Sequence, residues 1–490
     1  MSKTSSVISI GTGIVIQTIL GLITEIIVAR YFTLVDFATY QQTIMVLSFA
    51  PLFTFGFIDS IIYFVSYYKN DRKVLSNTFY HLILVGIITS VVIYLLRYNI
   101  AIWFENPALE KTLRFYCIIP FFSFLISLIP NYFIGKKKFT TSRNISIILS
   151  GIISVTLISV LFFSPNLLPA QLLLFRLSAT ILAALLTLLV LLFSTGWFLK
   201  FFDFNYYCQL SKYAFSLGIT RFIPLLNLNM DKLMVSAMLG PISFAYYKIG
   251  AREIPFAGII ILSLGSTFLP FYVNLVKENN LEEIRRLWRK GTVRAAIFNF
   301  PIGLFCFVFA PFIITTLFGK TYEPSANIFR IYSLILIIRL NDGDVLAKAF
   351  NANKIILQAS LLALVFNFIS NYILIKLMSG IGAALASLIT VALAWSYRIV
   401  KYSKLLDCDL RLMMPWKQLG VLIFLALCCA SIAKVVALIL GEETILSVSI
   451  GSLLALIIYV IFVWKASLLE YPEKMYFIKL LNLPGGENHC

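Results

Sequence analysis

Of the eight Lys and Arg that lie inside hydrophobic stretches of this chain, three are the best candidates to bind an anion. Lys248 and Arg252 are four positions apart, so they share one face of a helix, and Arg221 lies in the preceding stretch. An arginine donates two parallel hydrogen bonds to phosphate oxygens. The alternative is local: Arg252 neutralises Glu253 or Asp231, and Lys248 extends towards the membrane surface.

Glu25 and Lys232 are 207 positions apart, the offset of an internal repeat described below. Glu25 and Lys232 would then lie at equivalent depths in the membrane, near the outer ends of their helices. We predict that they form an ion pair across a cavity and close it on the outer side. The alternative is that each side chain pairs locally, for example Lys232 with Asp231. Glu25, Asp231, Lys232 and Glu253 are therefore the predicted gate and ion-pair residues.

The segment RLNDGD, residues 339–344, offers acidic groups that could bind a coupling proton or sodium ion. Arg339 can reach Asp342 at a spacing of three, which would instead make a static pair within a helix. Gly343 could permit close packing or local unwinding, and Asp344 is a second candidate carboxylate. Asp59, near the inner end of the second stretch, is either another coupling residue or a cap. Apart from such an ion, we expect no cofactor and no metal.

Composition places these residues in a membrane. Of 490 residues, 60% are hydrophobic and only 13% are charged, against about 25% charged in a soluble protein. A membrane span needs about 20 apolar residues. We predict an all-α integral membrane protein of about fourteen spans: 7–29, 42–65, 77–96, 114–134, 145–163, 169–194, 213–239, 243–275, 294–318, 325–350, 355–376, 380–400, 418–440 and 444–466.

Basic residues fix the predicted orientation. With the N-terminus inside, the cytoplasmic segments hold 26 Lys and Arg and the outer segments hold six. The net charge of +18 then reflects topology, so we expect no nucleic-acid partner. Both termini are predicted to be cytoplasmic and the first span to be retained. In the loop 277–294, residues 281–291 predict a short interfacial helix with Trp288 at the lipid headgroups; the alternative is a charged connector that only maintains topology.

An internal repeat divides the chain. Residues 30–40, RYFTLVDFATY, align with 237–247, AMLGPISFAYY, with identities at Phe37, Ala38 and Tyr40. Repeated halves are typical of transporters. The predicted domains are an N-lobe (1–197), a linker (198–212), a C-lobe (213–402), a cytoplasmic loop (403–417), an extra helical pair (418–466) and a cytoplasmic tail (467–490).

Four motifs resemble the polysaccharide and oligosaccharide flippases (O-antigen type) of the multidrug/oligosaccharidyl-lipid/polysaccharide exporter superfamily. IVARYFTLVDFATY resembles their A-R-x-L-G-P-x-x-F-G-x-Y signature, although it departs at Thr33, Leu34 and Ala38. The other three are MDKLMVSAMLGPISFAYYKIG, FLPFYVNLVKENNLEEIRRLWRKG and LFGKTYEPSANIFRIYSL. All four occur in family order over the first twelve helices.

The resemblance implies a V-shaped transporter of two lobes, with helices one, two, seven and eight lining a cavity. It implies a flippase, not an enzyme, that moves an undecaprenyl-pyrophosphate-linked oligosaccharide to the outer leaflet of a bacterial cytoplasmic membrane for O-antigen or capsule synthesis. Arg221, Lys248 and Arg252 would then hold the pyrophosphate. Membrane lipid, a polymerase and a chain-length regulator are the expected partners. The alternatives are a lipid II flippase, a cation-coupled drug exporter and a membrane-embedded polymerase; no catalytic motif favours the last.

Overall fold

The structure is a computed structural model that describes residues 3–67, 71–164, 167–341, 343–441 and 443–465. Within these residues every extended regular element is a helix. The helices are α1 (Lys3–Tyr31), α2 (Leu34–Ser48), α3 (Phe57–Tyr67), α4 (Asp71–Trp103), α5 (Pro107–Tyr116), α6 (Ile119–Gly135), α7 (Phe139–Phe163), α8 (Pro169–Thr195), α9 (Phe204–Gly250), α10 (Pro255–Lys277), α11 (Leu281–Val308), α12 (Ala310–Phe318), α13 (Ser325–Ile338), α14 (Val345–Ala349), α15 (Asn353–Leu405), α16 (Leu410–Met413), α17 (Trp416–Ile439) and α18 (Ile445–Lys465).

The predicted all-α, multi-pass membrane fold is confirmed. Eight helices in the described part are long and apolar enough to span a bilayer, and two bent pairs, α2–α3 and α5–α6, raise this to ten. The 53 residues of α15 would extend about 80 Å as one rod, whereas a hydrocarbon core is about 30 Å thick. Because Ser379 interrupts α15 with non-helical angles, it divides into two limbs of span length. The total of fourteen spans stays a prediction.

The two copies of the repeat have different residues at the position where the second helix of each copy begins. Thr33 caps α2: its hydroxyl accepts from the Asp36 amide at 3.2 Å and donates to the Asp36 carboxylate at 2.7 Å. At the equivalent position, Gly240 has φ 72° and Pro241 follows it, which divides α9 into two limbs. The shared Phe37, Ala38, Phe244 and Ala245 are fully buried, so this part of the repeat is a packing motif.

Two compact units make up the chain. The first comprises Met1–Ile249, Leu317–Pro324 and Leu364–Ala386, and the second comprises Gly250–Thr316, Ser325–Ala363 and Ser387–Cys490. In the first unit α1 packs along α7, and α6 packs against α3, α4, α7 and α8. In the second unit α11 packs between α13 and α17, and α18 lies against α17. The domain boundaries derived from the repeat stay a prediction.

The segment after α8 is fixed to the start of α4 within the first unit. Arg72 Nε donates to the Thr195 carbonyl at 2.7 Å, and the Lys73 ammonium lies 2.9 Å from the Asp203 carboxylate. The hydrogen bond from Lys73 holds the pKa of Asp203 below its ordinary value. The predicted linker therefore begins as an anchored segment.

The interfacial helix predicted over residues 281–291 of the loop 277–294 is wrong. These residues belong to the continuous α11, and Trp288 is only 2% exposed. Its ring contacts Tyr402 edge-on at 5.8 Å between centroids. Ile284 and Trp288 are four apart and both buried, so the apolar face packs into the second unit and does not enter the headgroups.

Candidate functional site

An ion pair in the first unit joins two residues that the sequence assigned to different roles. The Lys248 ammonium lies 4.0 Å from the Glu25 carboxylate, and the two side chains are 27% and 20% exposed. Gln41 Nε2 donates to the same carboxylate at 3.3 Å. The charges therefore lie in contact at a partly open position within predicted spans.

The second limb of α9 carries Lys248, and a hydrogen bond holds that limb against the first. The Tyr247 hydroxyl donates to the Asp231 carboxylate at 2.7 Å across the break at Gly240. Asp231 also accepts from the Lys232 amide at 2.8 Å and is 4% exposed. Because a buried carboxylate needs such donors, Asp231 positions Tyr247 and the adjacent Lys248.

Amide side chains fix α2, which carries Gln41. Gln42 Nε2 donates to Ser236 Oγ at 2.8 Å, and Asn106 Nδ2 donates to Gln42 Oε1 at 2.6 Å and to Thr39 Oγ1 at 2.9 Å. These buried bonds join α2 to α9 and to the residue that precedes α5. Such networks lock side-chain geometry when their members are satisfied.

Arg176 is a charged residue of α8 whose role sequence reasoning missed. It donates to the Tyr40 hydroxyl at 2.7 Å, and it also interacts electrostatically with Glu25. Tyr40 and Tyr247 are the repeat-equivalent tyrosines, and each one's hydroxyl bonds a charged side chain. The two tyrosines occupy the same position in the two copies of the repeat, and this was the signal that could have identified Arg176 and Tyr247.

The second unit contains a break in the eighth predicted span. Residues 251–254 are not helical, because Pro255 opens α10 and disfavours a helical residue before it. Arg252 and Glu253 lie in this break. The helical face predicted to be shared by Lys248 and Arg252 is therefore wrong, since α9 ends at Gly250. Arg252 is partly buried, and its amide donates to the Gly250 carbonyl at 2.8 Å.

A second break interrupts the tenth predicted span, which was expected to be continuous over 325–350. Helix α13 ends at Ile338 and α14 begins at Val345. Arg339 Nη1 lies 3.4 Å from Glu253 Oε1, so the two breaks of this unit meet through an ion pair. Asp344 lies 3.2 Å from Arg398, which is near the end of the predicted span 380–400.

Side chains of neighbouring helices satisfy the backbone of this second break. Asn299 Nδ2 donates to the Arg339 carbonyl at 3.4 Å, and the Tyr402 hydroxyl donates to the Gly343 carbonyl. Asn341 Nδ2 donates to Thr292 Oγ1 at 2.5 Å. Polar residues of α11 and α15 therefore replace the hydrogen bonds that a continuous helix would have made.

The remaining predicted site residues lie apart from these pairs or outside the described part. The Lys232 ammonium donates to the Leu228 carbonyl of its own helix at 3.2 Å, whereas Lys248 lies in an ion pair with Glu25. Asp59 lies in the first turn of α3, where a carboxylate favours the helix dipole. The side chain of Arg221 and the whole of Asp342 lie outside the described residues.

Known folds of the same architecture have been solved. The lipid II flippase MurJ, in an inward closed conformation, is 17% identical, with a TM-score of 0.72 over 97% of this chain and 100% of that chain. An inward-facing multidrug resistance transporter of the MATE family is 13% identical, with a TM-score of 0.58 over 79% of this chain and 95% of its own. A transporter of the same superfamily from Pyrococcus furiosus is 13% identical, with a TM-score of 0.52 over 82% and 95%.

Sequence comparison identifies the family. No curated protein sequence gives a significant match. A family model described as polysaccharide biosynthesis protein matches residues 27–327, which is more than half of the chain and includes both copies of the repeat. The chain therefore belongs to the polysaccharide biosynthesis protein family, and its fold is that of the membrane transporters of the multidrug/oligosaccharidyl-lipid/polysaccharide exporter superfamily.

Proposed function

We propose that this protein is a flippase that moves a polyprenyl-pyrophosphate-linked oligosaccharide from the cytoplasmic to the outer leaflet. The observation that carries the proposal is the loose ion pair between Lys248 and Glu25, at 4.0 Å and partly exposed within predicted spans. A charge in a membrane interior is costly unless it is paired or faces water. A basic residue at this position, such as Lys248, can bind an anionic substrate.

A pyrophosphate would compete with Glu25 for Lys248. At 4.0 Å the pair lacks a close hydrogen bond, so an anion with several acceptor oxygens offers the ammonium a stronger partner. Arg252 and Arg221 are the other proposed phosphate ligands. In this proposal Glu25 pairs with Lys248 whenever the site is empty, which keeps the cation satisfied between transport cycles.

The coupling ion of this transport is a separate proposal. Asp344 already faces Arg398 at 3.2 Å, so a cation there would have to displace a guanidinium. Asp59, at the first turn of α3, is partly buried and is the other proposed site for a proton or sodium ion. Replacing Asp59 with Asn should then abolish the response of export to an imposed ion gradient.

The proposed setting is a bacterial cytoplasmic membrane with both termini in the cytoplasm. The family description supports surface polysaccharide synthesis, of which O-antigen and capsule are the candidate products. A polymerase and a chain-length regulator of the same pathway would act on the translocated repeat unit. Glycan synthesis on a lipid carrier would supply the substrate from the cytoplasmic side.

A lipid II flippase is the second candidate function. The match to MurJ leaves about 15 residues of this chain uncovered, too few to omit α17 or α18, whereas the MATE match leaves about a fifth uncovered. The extra C-terminal pair is thus shared with that flippase fold. Lipid II also carries a pyrophosphate, so the Lys248 site fits either substrate.

The test is deletion of the gene in its host, followed by analysis of lipid-linked glycan. We expect surface polysaccharide to fall and undecaprenyl-linked repeat units to accumulate on the inner leaflet, with cell-wall synthesis intact. Accumulation of lipid II instead, with rescue of cells depleted of their own lipid II flippase, would establish the second candidate. Normal export with neither intermediate accumulating would contradict both functions.

A further inference from the structure

The two helix breaks of the second unit carry an ion pair that is unusually open for a membrane interior. Glu253 is 64% exposed and Arg339 is 53% exposed. For comparison, the neighbouring Asp344 and Arg398 are 31% and 19% exposed. Arg339 lies near the middle of the predicted span 325–350, and Glu253 lies well inside 243–275.

Charged side chains that are exposed at this depth indicate contact with water. A charged side chain facing lipid at the centre of a bilayer costs at least about 2.5–3.5 kcal/mol. Non-helical backbone, as at 251–254 and at 339–341, is tolerated there only inside protein or beside a water-filled cavity. The exposed side chains and the unwound backbone therefore lead independently to an aqueous surface beside Glu253 and Arg339.

We propose that Arg339 is a second phosphate-binding group of the transported lipid, and that Glu253 is its displaceable counter-ion. This inference rests on the proposed function. The guanidinium contacts Glu253 through one nitrogen at 3.4 Å, which leaves donors available for phosphate oxygens. Arg339 is thus an anion-binding residue in this inference, whereas the sequence predicted either a coupling-ion site in 339–344 or a static pair of Arg339 with Asp342.

The backbone around Arg339 is fixed while its side chain stays open. Its amide donates to the Ile335 carbonyl at 2.9 Å, and its carbonyl accepts from Asn299 at 3.4 Å. A fixed backbone lowers the entropy lost when the side chain binds a ligand. Arg398 differs because its Nε is buried against Asp344, so it offers no comparable open surface.

The experiment measures binding of undecaprenyl pyrophosphate to the purified full-length protein in detergent. Arg339→Gln removes the cation and should weaken binding at least tenfold. Glu253→Gln removes the competing carboxylate and should tighten binding severalfold. Arg330→Gln is the matched control, because Arg330 lies on α13 and bonds Asn327 at 3.0 Å; it should bind like the unmodified protein.

The opposite effects expected for Arg339→Gln and Glu253→Gln distinguish a role in binding from a role in stability. If the pair only stabilises the fold, both glutamine variants should lower affinity and thermal stability together, and that result would overturn the inference. Wild-type affinity in Arg339→Gln would overturn it as well. If the glutamine variants do not fold, Arg339→Lys retains the charge; we expect binding three- to tenfold weaker, and unchanged affinity contradicts the proposal.

Undecaprenol, which lacks phosphate, distinguishes failure of this inference from failure of the proposed function. An unmodified protein that does not prefer undecaprenyl pyrophosphate to undecaprenol would contradict the flippase function itself. A clear preference that survives in Arg339→Gln would contradict only the role of Arg339.

Discussion

The Lys248 ammonium lies 4.0 Å from the Glu25 carboxylate, and the contact joins the second limb of α9 to α1. If this pair is the empty state of an anion site, Lys248→Glu or Glu25→Lys alone should reduce glycan export at least tenfold. The double swap should restore pairing and folding but leave export low, because the cation has moved to α1. Export and protein abundance in complemented deletion cells would measure this.

A pair that acts only as a gate gives a different pattern. The double swap would then recover export as well as abundance. Lys232→Gln is the control, since Lys232 bonds the Leu228 carbonyl and not Glu25. Loss of export in Lys232→Gln would favour the gate predicted from the repeat offset.

The repeat-equivalent tyrosines should matter for stability through their hydroxyl groups. Tyr40→Phe removes the acceptor for Arg176, and Tyr247→Phe removes a donor to Asp231. Losing one hydrogen bond to a buried charged group costs about 1.5–3 kcal/mol, so both variants should melt at lower temperature in detergent. Tyr98→Phe, at a 65% exposed side chain, should melt like the unmodified protein. Equal melting temperatures in all three would contradict the assignment.

Gly250 closes α9 where no side chain fits. A Cβ there would lie 2.6 Å from both the Ser325 carbonyl oxygen and Ile328 Cβ. Gly250→Ala should therefore shift the break and destabilise the protein by about 1–3 kcal/mol. Gly258→Ala is the matched control, since a Cβ there would meet no atom of the described residues within 4 Å. Thermal unfolding of the two variants compares them, and equal stability would contradict the close contact at Gly250.

Trp288 distinguishes core packing from headgroup contact. It is 2% exposed, so Trp288→Ala should cost about 3–5 kcal/mol of stability. Trp416, at the start of α17, is 53% exposed, and Trp416→Ala should have little effect on unfolding. Fluorescence quenching by brominated lipid should correspondingly affect Trp416 more than Trp288. Strong lipid quenching of Trp288 would contradict its buried position.

Hydropathy predicted the membrane fold because each span must satisfy its own backbone hydrogen bonds in lipid. It could not predict the breaks at 251–254 and at 339–341. Pro255 decides the first break, and Asn299 and Tyr402, which lie on other helices, bond the backbone carbonyls of the second. Mean hydropathy over a span-length window averages over such positions, so the tenth span was expected to be one helix.

The site residues were predictable by type but not by partner. The sequence identified Glu25, Lys248, Glu253 and Arg339 as charges within predicted membrane spans. The predicted partners were chosen by helical spacing, which applies within one helix, and by the repeat offset, which assumes that the two halves are perfectly symmetric. The observed contacts, Lys248 with Glu25 and Arg339 with Glu253, depend on how different helices pack. Arg176 was overlooked because its partner Tyr40 is 136 residues away.

The most direct test is a leaflet assay with the reconstituted protein. Proteoliposomes would contain labelled undecaprenyl-pyrophosphate-linked oligosaccharide, with the leaflet position of the sugar read by its access to an added glycosidase. We expect the unmodified protein to move the lipid between leaflets, Lys248→Gln to lose at least nine tenths of that rate, and Lys232→Gln to retain it. Transport by Lys248→Gln at the unmodified rate, or none by the unmodified protein, would contradict the account.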